Sequence, residues 1–268
     1  MFAHYFVALR LSLDLWFLTL KYFLLISILF KLSNVFAFTI LIDPGHGGED
    51  DGAKVMTSGK VLDELIKEKD ISLSISQKIY KKLTEKKYTV FLTRSFDRTV
   101  SLAERAALAE TIKADLFISV HINSSASSNA IGFETYYLDN HNDVAIKKVE
   151  KTENIPTKGD EVIVQQILVD LVVERTVKIS KPLAESIHSE IKNSVGKKYR
   201  IPSRGIKPGL FYVLALSKRP GVLLEVGFIS TKKERIRMMD PHFQEAYADA
   251  VVKGIAEFIK SRQRPRKK

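Results

Sequence analysis

An α/β fold built as one domain is what this sequence predicts, and three observations carry the prediction. The chain has 268 residues, 45% of them hydrophobic and 27% charged, which is enough apolar material for one substantial core and too much for a disordered chain. Beyond residue 38, short β-rich runs alternate with segments of helical period, the layout of a central sheet flanked by helices on both faces. No internal repeat breaks that alternation.

Residues 1–37 read as a signal segment that stands apart from the fold. The stretch Leu11 to Phe30 is mostly apolar and approaches the roughly 20 residues of a spanning helix. Asp14 and Lys21 oppose that reading, because each costs about 2.5–3.5 kcal/mol near a bilayer centre. The clean apolar run is Tyr22 to Phe30, between Lys21 and Lys31, and it has the length of a signal-peptide core. It leads to Val35-Phe36-Ala37, which ends on a small residue as a signal peptidase requires. Cleavage after Ala37 is the expectation, with retention as a membrane anchor as the alternative.

The folded domain is expected over residues 38–260. Thr39 to Ile42 reads as a buried strand ended by the turn Pro44-Gly45-His46-Gly47-Gly48. Ile71, Leu73, Ile75, Ile79 and Leu83 mark a helix. Tyr88 to Thr93 is a strand, Leu102 to Ile112 a helix, Leu116 to Val120 a strand, and Gly132 to Leu138 a strand rich in aromatic and β-branched residues. Residues 139–180 break the pattern: a polar stretch with Pro156 and Gly159 leads into a helix of its own from Asp160 to Arg175. The domain resumes with a helix from Pro182 to Val195, strands at Leu210 to Leu214 and Gly221 to Val226, and a closing helix from Pro241 to Lys260 with proline in its first turn.

Charge and cysteine usage narrow the chemistry. Lys and Arg outnumber Asp and Glu by 42 to 31, a net charge of +11, so an anionic partner is expected. The tail from Lys260 to Lys268 carries six of those positive charges and no negative one; residues 261–268 form a basic end that reads first as solvated and second as weakly adhesive to a membrane surface. With no Cys in the chain, thiolate metal sites, disulfides and a cysteine nucleophile are excluded. Any metal must be held by His and carboxylate. Nucleic acid is not expected, because no recognition motif accompanies the charge.

Of the six His, only His46 and His121 sit where a strand runs out into a turn, the place where α/β sheets bind ligands. His4, His141, His188 and His242 read as ordinary structural or surface residues. A carboxylate beside the two strand-end His completes a His/Glu/His set with an open fourth position, the layout of a catalytic zinc. Glu68, opening the first helix, is the best candidate, with Glu64 its local competitor. A second acid, Glu225, ends the apolar strand Gly221-Val-Leu-Leu-Glu225 and is costly to bury without purpose. It reads either as the partner of a cation such as Arg204 or as a general base.

These residues lie in five ordered blocks: Asp43-Pro-Gly-His46-Gly-Gly, Glu68-Lys-Asp, Thr93-Arg94 with Leu102-Ala-Glu-Arg105, Ser119-Val-His121-Ile-Asn123, and Leu224-Glu225-Val-Gly-Phe228-Ile-Ser. Over residues 39 to 260 the chain resembles the zinc-dependent N-acetylmuramoyl-L-alanine amidases of the type 3 class. The resemblance implies a single α/β domain around a six-stranded sheet, one Zn2+ per chain on His46, Glu68 and His121, and Glu225 as the catalytic acid and base. Asn123 and Arg204 are the substrate-binding candidates. One departure is Thr231, where the family usually has Asn after Phe-Ile-Ser; a local turn effect is expected.

The resemblance also implies peptidoglycan as substrate, an exported location in the periplasm of a Gram-negative-type envelope, and a role in wall remodelling and daughter-cell separation. The inserted 139–180 segment resembles the regulatory helix of Gram-negative cell-division amidases, which a LytM-domain activator moves off the zinc; Glu161 is the candidate to fill the metal's open position. A monomer is expected. The rival readings are a zinc carboxypeptidase or endopeptidase acting on the stem peptide, and a catalytically silent wall-binding protein.

Overall fold

The computed structural model describes residues 16, 19–23, 38–57, 64–140, 147, 150, 151, 153, 154 and 161–263, without the side chains of 64 and 161–169. The chain divides into two compact units, Met1–Ala37 and Phe38–Lys268. In the first, Trp16 and Thr19 to Phe23 are helical. No helix among the described residues is long and apolar enough to cross a membrane. Most of the expected signal core, the Ala37 cleavage position, His4, His141, Pro156, Gly159 and the tail past Gln263 lie outside the described residues.

The second unit is built on six strands: β1 (Thr39–Pro44), β4 (Thr89–Leu92), β5 (Leu116–Asn123), β6 (Phe133–Leu138), β7 (Ser203–Gly209) and β8 (Gly221–Phe228). Their order is β4-β1-β5-β8-β6-β7. Neighbours run parallel except β6 and β8, which are antiparallel. The β5 and β8 strands are buried along their whole length, as their unbroken apolar runs require for strands covered on both faces. A separate hairpin pairs β2 (Lys54–Thr57) with β3 (Glu64–Lys67).

Residue parity assigns each strand's side chains to one of two cores. Ile40, Ile42, Ile118, Val120, Val222 and Leu224 face a layer made by α1 (Glu68–Glu85), the C-terminal half of α3 (Glu161–Ile191) and α6 (Pro241–Gln263). Leu41, Phe117, Tyr136 and Leu223 face α2 (Leu102–Thr111) and α4 (Tyr212–Ser217). The last helix, α5 (Lys232–Met239), precedes α6. A full capping box at Ser101 and Glu104 starts α2, which satisfies two of its free amide donors. The single domain and its six-stranded mixed sheet are the architecture expected.

Three element expectations are corrected. Leu210 to Leu214 is not a strand: Phe211, Leu214 and Ala215 are buried while Leu216 is exposed, the spacing of a helix, and the chain there forms α4. The strand is Ser203–Gly209 instead, which carries Gly205 and Pro208; proline survives because β7 pairs on one side only, with β6. The expected helix from Pro182 and the inserted helix are one 31-residue helix, α3, with Pro182 inside it. Its Val172 packs in the second core and Leu183, Ile187 and Ile191 in the first.

Candidate active site

The site lies at the C-terminal ends of β1 and β5. His46 follows β1 with φ +59°, a left-handed conformation that a residue with a Cβ rarely adopts outside a constrained site. Two arginines hold this turn by its carbonyls. Arg94 donates from Nη2 to the Gly45 carbonyl at 2.8 Å and from Nε to that of Pro44 at 3.1 Å. Arg105 donates from Nη2 to the His46 carbonyl at 2.8 Å and pairs through Nη1 with Asp43. Asp43 also accepts from Thr93 Oγ1 at 2.6 Å and Ser119 Oγ at 2.8 Å. Burial pushes the Asp43 carboxyl up, but Arg105 and these hydroxyls outweigh it and hold it below the ordinary value. Glycine is required at 45, where a Cβ would stand 2.6 Å from the His121 ring.

Glu68 is the first residue of α1, and its carboxylate is aimed by the backbone. Oε1 accepts from the Ile122 amide at 2.7 Å and Oε2 from the Ala53 amide at 2.8 Å. The Ile122 amide belongs to the residue after His121, so one hydrogen bond sets both ligands. His46 Nδ1 donates to Asp50 Oδ2 at 2.8 Å, an arrangement in which a carboxylate orients a ring and leaves Nε2 for a metal.

His46, Glu68, His121 and Glu153 each offer one ligand atom, all within 4.8 Å of one another. The His46 Nε2 to Glu68 Oε1 and His121 Nδ1 to Glu68 Oε1 distances are both 3.3 Å, and His46 Nε2 to Glu153 Oε2 is 3.4 Å. A tetrahedral ion with bonds of about 2.0–2.1 Å spaces its ligand atoms roughly 3.3–3.4 Å apart. Despite these separations, His46 Nε2, His121 Nδ1 and Glu153 Oε2 are buried without a hydrogen-bond partner. The fourth close separation, His121 Nδ1 to Glu153 Oε2, is shorter at 2.8 Å; two imidazole nitrogens and two carboxylate oxygens gathered this closely make a donor set that fits a divalent ion of the zinc type.

The electrostatics fit the same assignment. Burial would lower the His121 ring, but the carboxylates of Glu153 and Glu68 outweigh it and lift the ring to about 10. Burial would raise Glu68, and the two His rings hold it below the ordinary range. Two His and two carboxylates meeting this closely require positive charge in their midst, carried by ring protons or by a cation.

Glu225 is register partner of His121 on β8 and wholly buried. Neither of its oxygens has a hydrogen-bond partner. Burial first, then the nearby Glu153 carboxylate, hold its carboxyl well above the ordinary value. It is not the partner of Arg204, which instead pairs with Glu134. Asn123 reaches the same Glu134 from Nδ2 at 3.4 Å. His188 is a core residue between Thr135 Oγ1 and Ser203 Oγ. Thr231 acts at its turn as expected: its hydroxyl donates to the carbonyls of Ser128 and Ala130 at 2.9 and 2.5 Å.

The site holds one residue that sequence reasoning missed. Glu153 comes from the inserted segment, and its Oε2 lies 2.8 Å from His121 Nδ1. Its neighbours anchor it: Asn154 donates from Nδ2 to the Leu210 carbonyl and accepts from the Tyr212 amide, both at 2.8 Å, and Glu150 accepts from the Leu210 amide. Together Glu153 and Asn154 form part of the wall of a 250 Å³ cavity that reaches Asp43, His46, His121 and Phe211. The only sequence sign was an acid somewhere in an insertion. Glu161 opens α3, and its side chain lies outside the described residues, as do those of Val162, Ile163, Ile167 and Leu168; Glu64 stands in β3.

Similarity to known proteins agrees with this geometry. The family model described as N-acetylmuramoyl-L-alanine amidase matches residues 40–257. The chain is 30% identical to the N-acetylmuramoyl-L-alanine amidase AmiA of Escherichia coli, over 82% of this chain and 75% of that one. It is 29% identical to the N-acetylmuramoyl-L-alanine amidase LytC of Bacillus subtilis, over 83% of this chain but 36% of LytC. Among solved structures, the catalytic domain of the N-acetylmuramoyl-L-alanine amidase CwlV from Bacillus (Paenibacillus) polymyxa superposes with a TM-score of 0.62 at 31% identity, covering 83% of this chain and 98% of that one. The CwlD amidase of Clostridioides difficile, solved in complex with the GerS lipoprotein, gives a TM-score of 0.62 at 26% identity, over 84% and 99% of the two chains. With a family match over residues 40–257 and a fold shared with solved amidases, the chain belongs to the N-acetylmuramoyl-L-alanine amidase family.

Proposed function

We propose that this amidase hydrolyses the amide between the lactyl group of N-acetylmuramic acid and L-alanine in peptidoglycan, using one zinc ion held by His46, Glu68 and His121. The observation that carries the reading is the convergence of two imidazole nitrogens and two carboxylate oxygens within 4.8 Å of one another in a buried site, with His46 Nε2 and His121 Nδ1 lacking hydrogen-bond partners. Zinc bound there would supply Lewis-acid chemistry, acidifying water and polarising the scissile carbonyl. Glu225 accepts the proton of the attacking water on a carboxylate oxygen and delivers it to the alanine nitrogen as the C–N bond breaks. Neither Glu225 oxygen has a hydrogen-bond partner among the described residues, so both are available for this transfer. The Asp50 carboxylate fixes the His46 ring, and the Arg94 and Arg105 contacts fix the turn beneath it.

The resting site is closed in this reading. Glu153 takes the fourth position around the metal point, where water and substrate must otherwise enter, and Glu150 and Asn154 tether it to the Leu210–Tyr212 backbone. A partner that draws the inserted segment away opens the site; a LytM-domain activator, acting in the periplasm during cell separation, is the partner we infer. Two measurements test the proposal together. The purified chain should carry one zinc and lose it in His121→Ala, and Glu153→Ala should raise the basal rate on peptidoglycan at least about tenfold. A chain that hydrolyses peptidoglycan equally well without bound metal contradicts the zinc reading, and an unchanged Glu153→Ala rate contradicts the closed site.

A further inference from the structure

Beyond Glu225, the neighbouring strands β6 and β7 carry a charged platform that the chemistry above does not use. Glu134 on β6 stands directly opposite Glu225 and is buried. Two cations serve this one carboxylate, Arg204 through Nε and Lys207 through Nζ at 3.0 Å. Tyr136 also donates its hydroxyl to it. One cation is enough to neutralise Glu134, so the platform carries a surplus positive charge.

Arg204 is held as a presented group and not as a loose surface side chain. Its guanidinium lies over the Phe228 ring, 5.2 Å from the centroid, and its stem fills the space beside Gly132, where a Cβ would stand 2.8 Å from Arg204 Cγ. The Arg204 side chain is nevertheless 43% exposed, and it pairs with Glu134 through Nε, leaving the two Nη groups outside that contact. Lys207 is fixed over the Tyr136 ring at 5.8 Å. A guanidinium locked on one edge and open on the other matches the forked recognition of a carboxylate.

We propose that Arg204 and Lys207 form a subsite for a free carboxylate on the second residue of the stem peptide, an inference that rests on the amidase reading. Register sets the distance. His121, Glu225, Glu134 and Lys207 lie across the successive strands β5, β8, β6 and β7 on one face; with strands about 4.8 Å apart β7 runs roughly 10 Å beyond β8, and both cations reach back from it to the Glu134 carboxylate on β6, so their charges sit between about 5 and 10 Å beyond Glu225. A peptide leaving the cleaved amide on the Glu225 side advances about 3.3–3.6 Å per residue, so its second residue reaches the platform. In peptidoglycan that residue is a glutamate joined through its side-chain carboxyl, whose α-carboxyl is either free or amidated. The subsite therefore discriminates the free acid from the amide.

The test uses zinc-loaded full-length protein, wild type and Glu153→Ala, with two disaccharide tripeptides that differ only in a free or amidated α-carboxyl on residue two. Release of peptide beginning with L-alanine is followed by mass, and kcat/KM is compared. The expected result is at least a tenfold preference for the free acid, expressed mainly in KM, which collapses toward one in Arg204→Gln and is partly kept in Arg204→Lys. Equal hydrolysis of both substrates by the parent protein, or an Arg204→Gln loss that leaves the acid-to-amide ratio unchanged, overturns the subsite while leaving the amidase reading intact. Cleavage of neither substrate by either protein takes down the amidase reading and the subsite with it.

Discussion

His46 holds a left-handed backbone in a turn whose carbonyls are held by the distant Arg94 and Arg105, while its ring is oriented by Asp50, four positions on, with Nε2 buried. The site was largely legible from residue types: His46 follows an apolar strand, His121 and Glu225 lie in the C-terminal halves of two more, and Glu68 starts a helix, so local pattern marks them. Glu153 was not legible. It lies in a polar stretch without periodicity, and only the tethers at Glu150 and Asn154 bring it to the zinc position. Glu225→Gln should keep the fold and the metal and lose about 10²–10⁴-fold in turnover, checked by metal content and steady-state kinetics on the same sample. Asp43→Asn should cost about 3–5 kcal/mol in denaturant unfolding at pH 7, because Arg105 is left as an uncompensated buried charge. The folded Asp43 carboxyl lies below its ordinary value of 3.8. Its contribution is therefore fully present above that value and is lost as pH falls through the lower folded one, so the gap between wild type and variant should shrink below about pH 4.

Elements differ in how far local sequence decides them. The β1, β5 and β8 strands announce themselves as apolar runs because both of their faces are covered. The β7 strand was missed since an edge strand with Gly205 and Pro208 carries no such pattern, and its pairing with β6 is a tertiary fact. The Leu210 to Leu214 segment misled because β-branched and aromatic residues suit a short buried helix as well as a strand. Helix α3 was divided at Pro182 by a rule that tertiary packing overrides: its C-terminal half is pressed against α6, where a Cβ on Gly254 would come 2.5 Å from Ile187 Cα. Gly254→Val should therefore force the two helices apart and cost about 1–3 kcal/mol, lowering Tm by about 2–4 °C for each kcal/mol in a thermal melt. An unchanged Tm would mean that the helices shift without strain.

At the scale of the whole molecule, one end of the sheet, formed by the C-terminal ends of β1 and β5 and the starts of β6 and β7, which run opposite to them, gathers the proposed site, and the inserted segment reaches it through Glu153. In the proposed assignment the metal ligands follow or lie on β1, α1 and β5, the acid-base on β8, and the cationic platform on β7. The single α/β domain followed from the alternation of strands and helices, and its six-stranded sheet from the family resemblance; the place of Glu153 did not, because it depends on where a loop docks. Removing residues 150–174 should accordingly raise basal hydrolysis in a protein that still melts cooperatively. The most direct test of the central claim is digestion of a defined muropeptide by the purified chain, stripped of metal by chelator and then restored with zinc, with the products weighed. The account predicts no cleavage in the stripped protein and, with zinc, intact peptide beginning with L-alanine released from the sugar; undiminished cleavage after chelation, or fragments cut within the stem peptide, would contradict it.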